Sequence, residues 1–198
     1  MLKLGLKRSW EYVITERVYR KFSKPVARFL AKLGVEPNLV TLVATILGVF
    51  SGFLIVLEEI YLAVLMVFVS QILDCVDGDL ARILGKVSRK GAFLDRVLDR
   101  FVDAAIIIGI ISLEPEKLWF IGLLAVIGSF GVSLSKAMAE AEGAVCRVGI
   151  GGRDTRLAVT MIGLTLKQFY LTLLVVATLG FLTTGHRVFH TLKQLEKH

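Results

Sequence analysis

At residues 74–82 the chain reads Asp74-Cys75-Val76-Asp77-Gly78-Asp79-Leu80-Ala81-Arg82, and after a basic turn it continues to Gly91, Asp95 and Asp99. Apolar runs flank this stretch on both sides, so the carboxylates of Asp74, Asp77, Asp95 and Asp99, with that of Asp79 beside them, fall where apolar helices adjoin. Acidic groups are costly in a membrane unless they are paired, solvated or metal-bound, so a functional site is the default reading. At about 100° per residue on a helix, Asp74, Asp77, Gly78 and Ala81 occupy one arc of roughly 100°, with Arg82 at its edge and Asp79 pointing elsewhere. Asp95 and Asp99, four residues apart, share a face of the next helix. Two such helices facing each other project four carboxylates into one pocket, and oxygen ligands of that kind suit hard divalent cations such as Mg2+ or Mn2+. Gly78 and Ala81 leave room for a bulky ligand against the backbone, and Arg82 can fork onto phosphate oxygens.

Outward from this stretch the chain is that of a polytopic membrane protein. It has 198 residues, 55% of them hydrophobic, with a mean hydropathy of +0.71, too apolar for an ordinary soluble domain. The uncharged runs 38–57, 118–135 and 168–185 each approach the ~20 residues needed to cross a bilayer. The runs 60–73 and 104–113 are shorter, but each becomes a full span when the adjoining aspartates are included. A short run at 155–166 completes a set of six. The expected fold is therefore all-α, with six transmembrane helices at 38–190 and a cytoplasmic juxtamembrane segment at 1–37, forming a single domain over 1–198.

Basic residues orient this set, because cytoplasmic loops carry the excess of Lys and Arg. With the N-terminus inside, cytoplasmic segments hold nineteen of the twenty-four, nine of them before Pro37. Lys117 and Lys167 fall outside, where Glu58, Glu59, Glu114 and Glu116 dominate. Both termini and both halves of the aspartate motif are thus expected on the cytoplasmic side of the cell membrane. The net charge of +7 forms collars beside apolar spans, where anionic lipid headgroups attract it, and does not call for a nucleic-acid partner. Cys75 and Cys146 show neither disulfide nor zinc spacing. The first long apolar run begins only at residue 38, so no cleavable signal peptide is expected.

The motif D-x2-D-G-x2-A-R-x8-G-x3-D-x3-D runs through this chain without gap or substitution and resembles the signature of the CDP-alcohol phosphotransferases, also called the CDP-alcohol phosphatidyltransferase family. The resemblance implies metal-dependent transfer of a phosphoalcohol group from a CDP-linked donor to an acceptor hydroxyl, with release of CMP. It implies that Asp74, Asp77 and Asp95 ligate two metal ions and that Asp99 is the general base, with a metal-ligand role for Asp99 left open. Gly78, Ala81, Arg82 and Gly91 would line the CDP site. Pro37-Asn38-Leu39-Val40-Thr41 matches the family's Pro-Asn-x-x-Thr run, which brings Asn38 and Thr41 toward the nucleotide, although capping of the first span accounts for Asn38 equally well.

A second constellation consists of Ser133, Lys136, Arg147, Arg153 and Arg156. Cations beside an acidic metal site suggest a phosphate other than the one held by metal, while the plainer reading is a topological collar. The segments 133–140 and 149–157 resemble family members that use inositol phosphate, in which such residues hold the acceptor phosphate. Ser133, Lys136, Arg153 and Arg156 are assigned that role by resemblance. Arg153-Asp154 departs from the commoner glutamate-arginine pair, which leaves the acceptor open. The lipid product would be of the phosphatidylinositol or archaetidylinositol phosphate type. A CDP-inositol donor would instead give a di-myo-inositol phosphate phosphate.

Trp10, Val13, Ile14, Val18 and Phe22 recur at helical spacing among charged residues and predict an interfacial amphipathic helix. Arg96, Arg100 and Asp103 continue the charged stretch beside the aspartates, and the two arginines are expected to pair with carboxylates or interfacial groups rather than to do chemistry. His186, His190 and His198 are read as a solvated helix end. Gly122, Gly128 and Gly131 permit close helix approach, either in a homodimer, as the family resemblance implies, or within one subunit. Two rival functions use buried aspartates in other ways: a UbiA-type prenyltransferase, which has no need of the Gly78, Ala81, Arg82 and Gly91 set, and an ion-coupled transporter.

Overall fold

The computed structural model describes residues 19–146 and 148–196. Trp10, Val13, Ile14 and Val18 of the amphipathic segment, Arg147 of the basic constellation, and His198 lie outside them. Seven helices make up the described residues: α1 (Arg20–Lys32), α2 (Pro37–Val56), α3 (Ile60–Ile83), α4 (Arg89–Leu113), α5 (Pro115–Ala141), α6 (Arg153–Thr165) and α7 (Phe169–Leu195). Among the described residues, α2, α3, α5 and α7 are long and apolar enough to cross a membrane. The protein is a multi-pass, all-helical membrane protein.

The helix limits follow local chemistry. Pro37 and Pro115 begin α2 and α5, where the missing N–H of proline costs no helical hydrogen bond. Ser88 caps α4, its hydroxyl accepting from the Gly91 amide at 3.0 Å. Gly85, with φ +64°, turns the chain after α3, a conformation that an L side chain resists. Because α3 runs unbroken to Ile83 and α4 starts at Arg89, the aspartates are carried on continuous helices, as the motif spacing requires. The 25 residues of α4 would reach about 37 Å and the 13 of α6 about 20 Å, against a hydrocarbon core of about 30 Å.

Helices α2, α3 and α4 form one packed group, α5 and α7 another, and α6 lies against both α3 and α7. Lipid tails are as apolar as the helices, so close packing of small residues does much of the joining. A Cβ on Gly180 would stand 2.6 Å from the Gly128 backbone carbon, and one on Gly52 would stand 2.5 Å from the Ala105 carbonyl oxygen. The glycines of α5 are spent inside the subunit: Gly122 faces Ile111, Gly128 faces α7, and Gly131 faces Thr184. Each thus has a neighbour within the subunit, and their spacing alone gives no argument for a dimer.

Helix α1 packs against α3. Its buried residues are Ser23 and Ala27, and Ala27 joins a small core with Val40, Val76 and Leu80. A separate stripe of Phe22, Val26, Phe29 and Leu33 is exposed.

Candidate functional site

Asp74 on α3 and Asp95 and Asp99 on α4 converge, with one carboxylate oxygen from each lying within 4.8 Å of the others. A compact set of hard oxygen donors of this kind fits a divalent cation. Asp77 lies one turn along α3, 7% exposed, and is not one of this triplet. Its Oδ2 accepts a hydrogen bond from the Thr41 hydroxyl at 2.5 Å, so Thr41 on α2 sets the orientation of the Asp77 carboxylate.

Arg153, in the first turn of α6, reaches into the same cluster. Its Nη1 lies 2.8 Å from Asp99 and 3.3 Å from Asp74, and its Nε donates to Asp103 at 3.2 Å. Gln71, with its amide oxygen turned toward the guanidinium, accepts from it at 3.2 Å. Assigned from sequence only to an acceptor phosphate, Arg153 therefore also compensates the carboxylates. Arg156, one turn further along, is almost wholly buried; it donates to the Gly151 carbonyl at 2.6 Å and to Asp103 at 3.3 Å. Arg100 pairs with Asp99 and Asp103 and hydrogen-bonds Ser133, and Arg96 pairs with Glu140, so both pair with carboxylates as the sequence suggests.

Asp103 is the hub that the sequence reading undervalued. It is 5% exposed and meets three guanidiniums, those of Arg100, Arg153 and Arg156. Its position four residues after Asp99 was the available signal. Gln71, a fully buried amide in an otherwise apolar run, was another.

Beside these groups opens a cavity of about 960 Å³. Asp74, Asp95 and Asp99 line it together with Ser133, Lys136, Arg153 and Arg156. Arg187 of α7 lines it too. The Arg187 guanidinium donates to the carbonyls of Val148 and Val132 and so ties the 142–152 connection to α5. The two constellations, more than thirty residues apart at their nearest in the chain, face one cavity.

Two pairs of the residues assigned to the nucleotide are neighbours. A Cβ on Gly91 would meet the Asn38 side-chain oxygen at 3.2 Å, and one on Gly78 would meet the Arg82 guanidinium at 3.5 Å. Asn38 is thus beside Gly91, and Arg82 lies over Gly78. Ala81 is half-buried on the same helix. Arg82 also pairs with Asp79 at 2.6 Å.

The family model of the CDP-alcohol phosphatidyltransferases matches residues 35–186. The chain belongs to this family. It is 34% identical over 184 residues to the archaetidylinositol phosphate synthase of Pyrococcus horikoshii, covering 91% of this chain and 97% of that one. With the bifunctional IPC transferase and DIPP synthase of Thermococcus kodakarensis it shares 31% identity over 88% of this chain and 44% of the larger protein. The crystal structure of Mycobacterium tuberculosis phosphatidylinositol phosphate synthase with CDP-DAG bound superposes with a TM-score of 0.79 at 25% identity, covering 86% of this chain and 94% of that one. The same enzyme in complex with manganese and citrate superposes with a TM-score of 0.78 at 26% identity, over 85% and 88% of the two chains. As a CDP-alcohol phosphotransferase this protein is a transferase of phospholipid biosynthesis, and family membership displaces both the prenyltransferase and the ion-coupled transporter readings.

Proposed function

We propose that this CDP-alcohol phosphotransferase joins a phosphorylated inositol to a CDP-linked lipid and releases CMP. One observation carries the reading: the carboxylate cluster and a set of cations line a single cavity of about 960 Å³, so a diphosphate and a second phosphate can be held side by side. The names of the archaeal and mycobacterial relatives support the inositol phosphate acceptor, and the CDP-DAG complex of the mycobacterial enzyme supports a lipid donor.

In this reading Asp74, Asp77, Asp95 and Asp99 hold two Mg2+ or Mn2+ ions, with the orientation of Asp77 set by Thr41. Bound there, the ions supply charge neutralisation for the diphosphate and for the departing CMP oxygen. Asn38, Thr41, Gly78, Ala81, Arg82 and Gly91 line the CDP site. Ser133, Lys136, Arg153 and Arg156 receive the acceptor phosphate, which places its inositol hydroxyl toward Asp99. Asp99 takes the proton of that hydroxyl as its oxygen bonds to the phosphorus carrying the lipid alcohol. The bond from that phosphorus to the CMP oxygen breaks, and CMP leaves with the electron pair.

The same reading gives a single domain over 1–198 with six passes, in which α4 and the short α6 join the four longer helices. Both termini and the cavity face the cytoplasm, following the placement of Lys and Arg. The exposed apolar stripe of α1, beside Lys21, Lys24, Arg28 and Lys32, suits a helix lying in the interface. A homodimer is proposed from family resemblance alone.

A second reading, with CDP-inositol as donor, is favoured by the similarity to the Thermococcus bifunctional enzyme. Purified protein given CDP-diacylglycerol, CDP-archaeol or CDP-inositol, each with inositol 1-phosphate and Mn2+, separates the two by the mass of the product. A phosphoinositol lipid is expected. A di-inositol phosphate that still carries the acceptor's own phosphate, as the only product, would replace the lipid reading with the second one.

A further inference from the structure

We propose that Asp79 is a positioning residue that fixes Arg82 for the CDP-linked donor, and that Ser23 of α1 holds Asp79 in place. This rests on the donor-site reading above. Position 79 falls on one of the unspecified places of the aspartate motif, so the resemblance assigns it nothing. Yet Asp79 is 8% exposed and Ser23 is fully buried, and both carboxylate oxygens are used. Oδ2 accepts from the Ser23 hydroxyl at 2.7 Å. Oδ1 accepts from Arg82 Nη2 at 2.6 Å. A buried carboxylate with each oxygen committed to a different element is a fixed point, because losing either partner leaves a desolvated acceptor.

Arg82 is the second partner of Asp79. Its side chain is 57% exposed, and an exposed arginine ordinarily samples many rotamers. Here the guanidinium is drawn back along α3 until it covers Gly78, where an added Cβ would stand 3.5 Å from Nη2 and 3.6 Å from Nη1. With Nη2 donating to Asp79, the fork retains further N–H groups on Nη1 and Nε for a phosphate oxygen. Ser23 and Ala27 are the buried face of α1, so the seat of α1 on α3 orients Asp79, and Asp79 orients Arg82. A helix outside the aspartate motif thereby tunes the grip on the diphosphate and leaves the acceptor side unaffected.

The test is a double-mutant cycle on the full-length protein in detergent with saturating Mn2+, using CDP as the probe in calorimetry, alongside donor and acceptor KM and melting temperature. Asp79→Asn is expected to weaken CDP binding about five- to tenfold and Ser23→Ala about two- to threefold, the range of lost charged and neutral hydrogen bonds. Acceptor KM should stay within about twofold of wild type in both. In an Arg82→Ala background each change should alter CDP binding less than about twofold, since the group through which they act is gone. Equal losses with and without Arg82, or a parallel rise in acceptor KM, would show general destabilisation and overturn the proposal. Ser23→Ala, which removes one hydroxyl, supplies the same cycle if Asp79→Asn does not fold. Wild type that binds no CDP would overturn the donor-site reading and this inference with it; wild type that binds CDP with an additive cycle overturns this inference alone.

Discussion

Asp77 and the carboxylate triplet are two differently held parts of one acidic site. Asp77→Asn is expected to abolish CMP release while the protein still inserts and purifies, because the amide keeps the volume and the Thr41 contact but loses an anionic ligand; wild-type turnover would remove Asp77 from the site. The two arginines of α6 should behave differently from each other. On the proposed acceptor role, Arg153→Ala removes a charge-assisted contact worth roughly 1.5–3 kcal/mol, so acceptor KM should rise about ten- to a hundredfold with donor KM far less affected. Arg156→Ala should raise acceptor KM and in addition lower the melting temperature, because its buried guanidinium joins the Gly151 carbonyl to Asp103, and stripping one partner from a buried ion pair costs about 3–5 kcal/mol. Steady-state kinetics and a thermal melt on the two variants separate these effects. An Arg153 variant with unchanged acceptor KM would return it to a purely compensating role among the aspartates. The residue-level motif was legible because eight positions recur at fixed spacing on two helices. Arg153 meeting Asp74 across 79 positions of sequence was not, since only the seating of α6 against α3 makes them neighbours.

Helices α3 and α4 were readable as single elements because the aspartate motif prolongs each apolar run without a breaker, and Gly85 supplies the turn between them. The fate of the glycines was not readable. Gly122, Gly128 and Gly131 occur at spacings that serve an internal contact as well as one between copies, and only the backbone approach of Gly128 to Gly180 decides for the former. Overpacking there should be costly: Gly180→Leu forces α7 away from α5 and is expected to lower stability by about 1–3 kcal/mol or more, read as a fall in the detergent melting temperature. The same variant should also weaken activity, because Arg187 on α7 ties the 142–152 connection to α5 beside the cavity. An unchanged melting temperature would mean that α5 and α7 do not pack as described.

At the scale of the molecule, charge organises what packing encloses. One gathered set of arginines meets one gathered set of aspartates at the cavity, and in the proposed topology the basic collars orient the chain. Concentrated carboxylates repel one another unless cations intervene, so excess EDTA should stop turnover and added Mn2+ should restore it; full activity in EDTA would contradict the metal reading. Mass measured in mild detergents should be that of a dimer, and a monomer in several detergents would remove the dimer from the account. In the proposed function, carboxylates and cations in one cavity bring a CDP-linked donor to a phosphorylated acceptor. CMP release from a CDP-linked lipid, followed with inositol 1-phosphate and with unphosphorylated inositol under Mn2+, tests it most directly. Turnover that depends on inositol 1-phosphate and falls at least about tenfold with inositol is predicted, the loss of one charge-assisted contact, whereas equal turnover of the two acceptors, or no CMP from either, would contradict it.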